Sequence, residues 1–227
     1  MFEELEITVG NLSNYVQGRT SEKTLELPAS QEEMQHIFKN IGIGNTSDEV
    51  FLSNYMIPED LSYLKAVIHE HTDPIGLIMI MHLIQTLNPD PEAMDLFLQD
   101  HQDLTVTEFG NLILQSEDIL YKPYKFKNME NLEFMSPEEK YAYTINYKNG
   151  TYAKLEALGM AAYVDFEDFG RNAVMNGEIT LGDYGFLDKA EKQPQLNLYS
   201  DEKLFKLVGL SADLAKTGKK LNLTPKM

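Results

Sequence analysis

Hydrophobic and polar residues alternate with a period of two over LEITVGNL (5–12) and KTLELPA (23–29), with Gly18 in the polar turn between them. That period predicts two short β-strands, because successive side chains of a strand point to opposite faces. SQEE (30–33) then predicts a helix start, in which Ser30 accepts from the Glu33 amide while the Glu33 carboxylate reaches back. The helix is expected to run to about Asn40, and the glycine-rich turn after it leads to a third strand around 49–55.

From Pro58 the period becomes helical. Pro58, Pro74 and Pro91 each stand where a first helical turn tolerates proline, and Asp73 and Asp90 precede two of them as N-cap candidates. PIGLIMIMHLIQTLN (74–88) is apolar on nearly every side, so it is expected at the buried centre of a helical subdomain. PEAMDLFLQDH (91–101) is amphipathic, and TVTE (105–108) is a second capping box opening a helix through about Gln115. A third box, SPEE (136–139), precedes helical stretches at 151–162 and about 165–176. GEITLGDYGFLD (177–188) reads as strand, turn, strand, and one more helix is expected over 201–216. The fold class is therefore α+β. The expected divisions are an α+β unit at 1–58, an acidic helical unit at 59–119, a second α+β unit at 120–188, and a lysine-rich tail or docking helix at 189–227.

Composition adds apolar material for real cores, with 43% hydrophobic and 10% aromatic residues. The absence of cysteine removes disulfides, thiolate nucleophiles and cysteine metal sites. MFEELEITVG lacks a basic leader followed by an apolar run, and the most apolar run, 75–81, is far below the roughly 20 residues of a bilayer span. A soluble cytoplasmic protein is the expectation.

Three stretches invite a chemical reading. HEHTD (69–73), with His82 further on, offers His69, His71 and Asp73 as metal ligands, but on the helix expected over 59–71, residues two apart face different sides. GIGNTS (42–47) lacks the lysine and spacing of a phosphate loop and precedes a strand, so it reads as a tight turn. DFEDFGR (165–171) places Asp165 and Asp168 three apart, with no nucleophile, base or oxyanion donor beside them. A charged solvated face with Arg171 pairing internally is the better account. No catalytic residue, metal or cofactor is expected.

Charge changes the picture most. The formal net charge is −17, and 56 consecutive residues between Lys65 and Lys122 contain ten acids and no lysine or arginine. At the chain's average of 19 bases in 227 residues, about five would be expected there. Residues 122–227, in contrast, carry 15 acids and 15 bases. Such a balance excludes binding that neutralises nucleic-acid phosphates or an anionic membrane. Carboxylates three or four apart on a helix lie about 5–6 Å from each other, while a DNA duplex presents one phosphate per about 1.7 Å of axis. A base-free acidic fold can therefore imitate the potential of a duplex and enter the basic cleft of a DNA-binding enzyme. The alternative is an acidic protein–protein interaction module with a different basic partner and no DNA mimicry.

The order of landmarks resembles the ArdA-type antirestriction proteins, DNA mimics carried by mobile elements. ITVGNLSNYVQGRTSEKTLELPASQEEMQHIF (7–38) is similar to that family's opening, with its strand, N-L-x-x-Y step, polar turn, and strand leading into an acidic helix. IGIG followed by DEVFLSNYMIP (41–58) resembles its next turn and strand, and YVDFEDFGRNAVMNGEITLGDYGFL (163–187) its closing segment. Residues 189–227 have no counterpart in short members. The resemblance implies an elongated, three-domain, commonly dimeric protein that occupies the DNA-binding groove of type I restriction–modification enzymes without catalysis or cofactor. The working surface it implies comprises acids of the first two domains: Glu32, Glu33, Asp48, Glu49, Glu59, Asp60, Glu70, Asp73, Asp90, Glu92, Asp95, Asp100, Asp103, Glu108, Glu117 and Asp118. The charge-neutral remainder is expected to serve assembly, with Tyr121, Tyr124, Phe126 and Phe134 at a dimer contact.

Overall fold

In the computed structural model, residues 4–43, 50–125, 134–189 and 194–210 are described. The fold is α+β, as expected, with two three-stranded antiparallel sheets. In chain order the elements are β1 Leu5–Asn11, α1 Leu12–Val16, β2 Glu22–Leu27, α2 Gln31–Asn40 and β3 Val50–Met56. A 3-10 helix Glu59–Ala66 then precedes α3 Pro74–Leu87, α4 Pro91–Leu98, α5 Val106–Leu114, a 3-10 turn Ser116–Asp118 and β4 Tyr121–Pro123. Helices α6 Pro137–Lys148, α7 Thr151–Ala157 and α8 Phe166–Met175, strands β5 Ile179–Leu181 and β6 Gly185–Asp188, and helix α9 Asp201–Leu207 complete the set. Among the described residues, one compact unit takes 4–43, 50–91, 101–116 and 194–210; the second takes 92–100, 117–125 and 134–189.

The first unit is built on the sheet β2-β1-β3. In β1 the period of two is obeyed: Leu5, Ile7 and Val9 are fully buried while Glu6 and Thr8 are not. The register pairs Leu5 with Leu27 on one side, and Ile7 with Tyr55 on the other. The Asn11 side chain accepts from the amide of Asn14 at 3.1 Å, capping α1, and donates to the carbonyl of Ile41 at 3.2 Å. Asn14 at 3.4 Å and Ser21 at 2.8 Å donate to that same carbonyl. The N-L-x-x-Y step is thus a bracket that ties the sheet to the C-terminal end of α2, where carbonyls lack helical partners. Helix α3 lies buried between this sheet and α5, packing on β2, β3 and α5, with Gly76 close beneath Val106.

All three capping boxes form, at Ser30–Glu33, Thr105–Glu108 and Ser136–Glu139. Asp73 caps α3 by accepting from Ile75 N at 3.0 Å. One segment departs from expectation. Residues 59–66 form a 3-10 helix interrupted by non-helical angles at Leu61, and 67–73 is a turn. The chain there tucks Leu61, Tyr63 and Leu64 inward together, and residues 61, 63 and 64 do not fall on one face of an α-helix. The last helix also stops early, at Leu207, because Gly209 takes a left-handed φ of 74° and closes the end.

The second unit packs α6 across α8 over the sheet β4-β6-β5. Its core joins Tyr141, Ala173, Ile179 and Phe186, with the Tyr141 and Phe186 rings edge to face at 4.9 Å. DFEDFGR is a structural cassette: Asp165 caps α8 through Asp168 N at 2.9 Å, Phe166 is buried, and Arg171 pairs with Glu167 at 2.7 Å. Gly170 sits where α8 meets the backbone of Glu138, which a Cβ would strike. Replacing Gly170 with alanine is therefore expected to cost about 2 kcal/mol or more of unfolding free energy. A urea denaturation midpoint equal to that of the parent chain would contradict the close α6–α8 crossing.

Candidate functional site

The acids expected to form the working surface fall into two physical classes. Asp48 and Glu49 lie outside the described residues. On the first unit, Glu32, Glu59, Glu70, Asp90 and Asp103 are exposed; Glu70 lies 3.1 Å from the His71 ring. On the second, Asp95, Glu117 and Asp118 are exposed. These side chains present charge to solvent from helix starts, turns and short loops, and Asp95 does so from the exposed side of α4.

The other acids are half-buried or bonded within the fold, Glu33 and Asp100 while remaining exposed. The Glu33 carboxylate accepts from both the amide and the hydroxyl of Ser30 at 2.7 Å. Glu108 does the same with Thr105 at 2.9 and 2.7 Å. Those bonds favour the ionised form and hold both carboxyls below their ordinary range, through the Ser30 amide first for Glu33 and the Thr105 hydroxyl first for Glu108. Asp73 behaves oppositely: burial pushes it up to about 6, partly offset by the amides of Ile75 and Gly76, with the Asp201 carboxylate adding to the rise. Asp60 is half-buried at the start of the 3-10 helix, and its Oδ1 has no hydrogen-bond partner among the described residues. In the second unit Glu92 accepts from the Tyr121 hydroxyl at 2.6 Å and from Tyr184 N at 2.9 Å, pinning α4 to strand β4 and the β5–β6 turn. Asp100 pairs with Lys189 at 2.7 Å.

The aromatic set divides similarly. Phe126 lies outside the described residues, and Phe134 is 79% exposed. Tyr121 is half-buried on Glu92, while Tyr124 donates to the carbonyl of Gly182 at 2.9 Å and stacks on Phe186. The histidines do not converge. His82 meets the carbonyl of Ala29 at 3.3 Å, His69 Nδ1 accepts from His71 N, and no cluster among the described residues could hold a metal ion.

Folding redistributes charge in a way that a linear count conceals. Among the described residues the first unit carries 15 acids and 6 bases, net −9, and the second 14 acids and 7 bases, net −7. Much of the neutral stretch 122–227 contributes to an acidic unit because it folds together with Glu92, Asp95, Asp100, Glu117 and Asp118. Four of that unit's seven described cations are engaged internally: Lys122 with Asp188 at 2.9 Å, Lys189 with Asp100, Arg171 with Glu167, and Lys140 with the carbonyl of Asp183 at 3.1 Å. Glu156, Glu178 and Asp183 are exposed acids absent from the expected set. Only their neighbours' internal pairing distinguishes them from a balanced surface, and sequence position carries no sign of that pairing.

The family model described as "Antirestriction protein (ArdA)" matches residues 7–188. No curated protein sequence matches the chain.

The two classes of acid separate experimentally. Thr105→Ala breaks a capping box and is expected to lower unfolding free energy by about 1 kcal/mol, whereas Glu117→Ala stays within about 0.5 kcal/mol of the parent. Because the Glu33 and Glu108 carboxyls are depressed in the folded state, their contribution is present above their ordinary value of 4.5 and is lost as pH falls through the depressed values. Chemical denaturation at pH 7 and pH 4 reads both effects, and the Thr105→Ala deficit is expected to shrink at the lower pH.

Proposed function

The chain belongs to the ArdA antirestriction family, and we propose that it works as an acidic mimic of duplex DNA that occupies the DNA-binding groove of a type I restriction–modification enzyme. Family membership carries the antirestriction role itself. The mimicry rests chiefly on one observation: a 56-residue segment without a lysine or arginine is folded into two units, and exposes Glu70, Asp90, Asp95, Asp103, Glu117 and Asp118. A basic groove that holds phosphates by releasing counterions gains the same way from fixed carboxylates. Fixing them on helices and turns also avoids the ordering cost that a disordered acidic tail would meet on binding.

In this reading the protein is an inhibitor and needs no catalytic group or cofactor. Affinity is spread over many weak contacts, so no single acid dominates. The sixteen expected acids contribute unequally: Glu33, Asp73, Glu92, Asp100 and Glu108 act mainly through the fold, and the exposed ones without a bond of that kind meet the enzyme. The protein acts as a homodimer in the cytoplasm, where its target cleaves DNA. The three-domain division at 58, 119 and 188 orders the acidic arms ahead of an assembly region, in which Phe134 stands as the most exposed of the described aromatic candidates.

The decisive measurement is cleavage of unmodified DNA by a purified type I enzyme with the protein added. Inhibition is expected, relieved by excess duplex competitor, with apparent affinity falling by on the order of a thousandfold between about 50 and 200 mM salt. Reversing Glu32, Glu59, Glu117 and Asp118 to lysine is expected to cost roughly fivefold per site, cumulatively, while leaving the fold intact. Salt-independent inhibition, or inhibition that survives all four reversals, would rule out mimicry by this surface and favour a different basic partner.

A further inference from the structure

The sheet β2-β1-β3 has two unlike faces. Leu5, Ile7, Val9 and Leu27 are fully buried on one, and the register turns a different set of side chains to the other. There Glu26 of β2 and Glu6 of β1 stand directly opposite each other, with Met56 of β3 on the far side of Glu6. Two residues along, the Thr24 and Thr8 hydroxyls meet at 3.1 Å. Two further, the Phe51 ring and the Glu22 stem come together over Gly10, where a Cβ would lie 2.6 Å from the ring and 3.3 Å from the stem. This face is open: Met56 is 67% exposed, Thr24 and Glu26 are exposed, and Glu6, Glu22 and Phe51 are half-buried.

Two of its features run against the stability of the sheet. Like charges directly opposite each other repel across a strand pair, and none of Glu6, Glu22 and Glu26 is paired with a cation among the described residues. The one base of the three strands, Lys23, stands opposite Val9 and so belongs to the other face. Gly10 in turn weakens the interior of β1, having no side chain to pack, and so makes room for an aromatic ring to lie across the strand.

We propose that this face docks an extended, arginine-bearing segment of a basic protein, with one guanidinium between Glu6 and Glu26 and a second on the Phe51 ring beside Glu22. Cβ atoms directly opposite in an antiparallel pair lie about 4.5–5.5 Å apart, a spacing at which two carboxylates serve the forked donors of a single guanidinium. Its aliphatic stem rests on Met56, one strand over. On Phe51 the planar guanidinium stacks on the ring while the Glu22 carboxylate accepts at its edge. The two positions are four residues apart along the strands, about 13 Å, which is the separation of arginines four apart on an extended chain. Charge complementarity thus comes with a flat apolar platform, which a solvated acidic edge lacks. Glu6, Glu22 and Glu26 stand outside the sixteen expected acids. The proposal rests on the mimicry reading only for the source of the arginines, the wall of the enzyme's DNA-binding groove.

Titrating the full chain with the capped peptide Arg-Gly-Ser-Gly-Arg, and with its lysine counterpart, tests the face by NMR. The arginine peptide is expected to shift the Thr8 and Thr24 amides and to bind about three- to fivefold more tightly than the lysine peptide. The double substitution Glu6→Gln, Glu26→Gln is expected to weaken it about three- to tenfold. Its urea midpoint stays at or above that of the parent chain, since a repulsion is lost. Phe51→Leu is expected to remove the preference for arginine. Equal affinity for the two peptides, or shifts unchanged by the double substitution, overturns the proposal. So does inhibition of the type I enzyme by the parent chain that the double variant matches. Absence of inhibition by the parent, with arginine-selective binding intact, overturns the mimicry reading instead and leaves this surface to another basic partner.

Discussion

Helix α3 is the constraint from which the first unit follows. Ten of its fourteen residues, from Pro74 to Ile84, are buried, so it has no face to give to water. Each large side chain is worth roughly 1.5–3 kcal/mol when removed from solvent, and only complete cover realises that gain. The sheet supplies cover through β2 and β3, and α5 supplies it through Gly76 under Val106 and through Gly110 beside Met79 and Leu83. A charged residue inside α3 would be expensive in this setting. The acids of the base-free run are consequently displaced to its rim, where Asp73 caps the helix and Asp90, Asp103 and Glu108 border its neighbours.

A segment so short of cations faces a folding problem, since carboxylates cannot be neutralised by salt bridges within it. Hydrogen bonds replace them. Glu108 accepts from the hydroxyl and amide of Thr105 at once, and Glu92 accepts from Tyr121 and Tyr184, so these acids find donors without a lysine. Four of the seven described bases of the second unit, by contrast, meet its own acids or a carbonyl. Internal pairing of Lys122, Lys189 and Arg171 keeps their charge from projecting outwards. The resulting field is negative on both units, although residues 122–227 are neutral when counted along the chain.

What the amino-acid sequence discloses here is whatever depends on residues a few positions apart. Capping boxes at Ser30, Thr105 and Ser136, prolines at the first turns of α3 and α6, and the alternation of β1 are local, and each forms where its spacing implies. The interrupted 3-10 helix at 59–66 is not local, because burial of Leu61, Tyr63 and Leu64 by the rest of the unit overrides helical periodicity. Nor is the roles of the acids: nothing near Glu92 signals that Tyr121 and Tyr184 will come to it from 29 and 92 residues away. The chain crosses between the two compact units four times, at 91, 100, 116 and 193, and no short-range spacing signals those crossings.

The motifs that mark the family have a further lesson. Asn11 brackets β1 to α2, Gly170 permits the α6–α8 crossing, Asp165 and Arg171 finish α8, and Gly185 leaves room for the Tyr121 ring. All of these make the scaffold, and none belongs to the exposed acidic set. That division is what a charge mimic requires physically. A groove that feels potential tolerates an acid moved by one residue, whereas a helix crossing does not tolerate a Cβ. In the proposed mimicry, identity resides in the few positions where geometry is unforgiving, and activity in many positions where it is not. Asn111 and Gln115 extend the argument, since they lie inside the matched segment but hold backbone outside it. A buried amide without its partner costs about 1–3 kcal/mol, so these two side chains and the segment they hold form one folding unit despite the boundary that the family match draws between them.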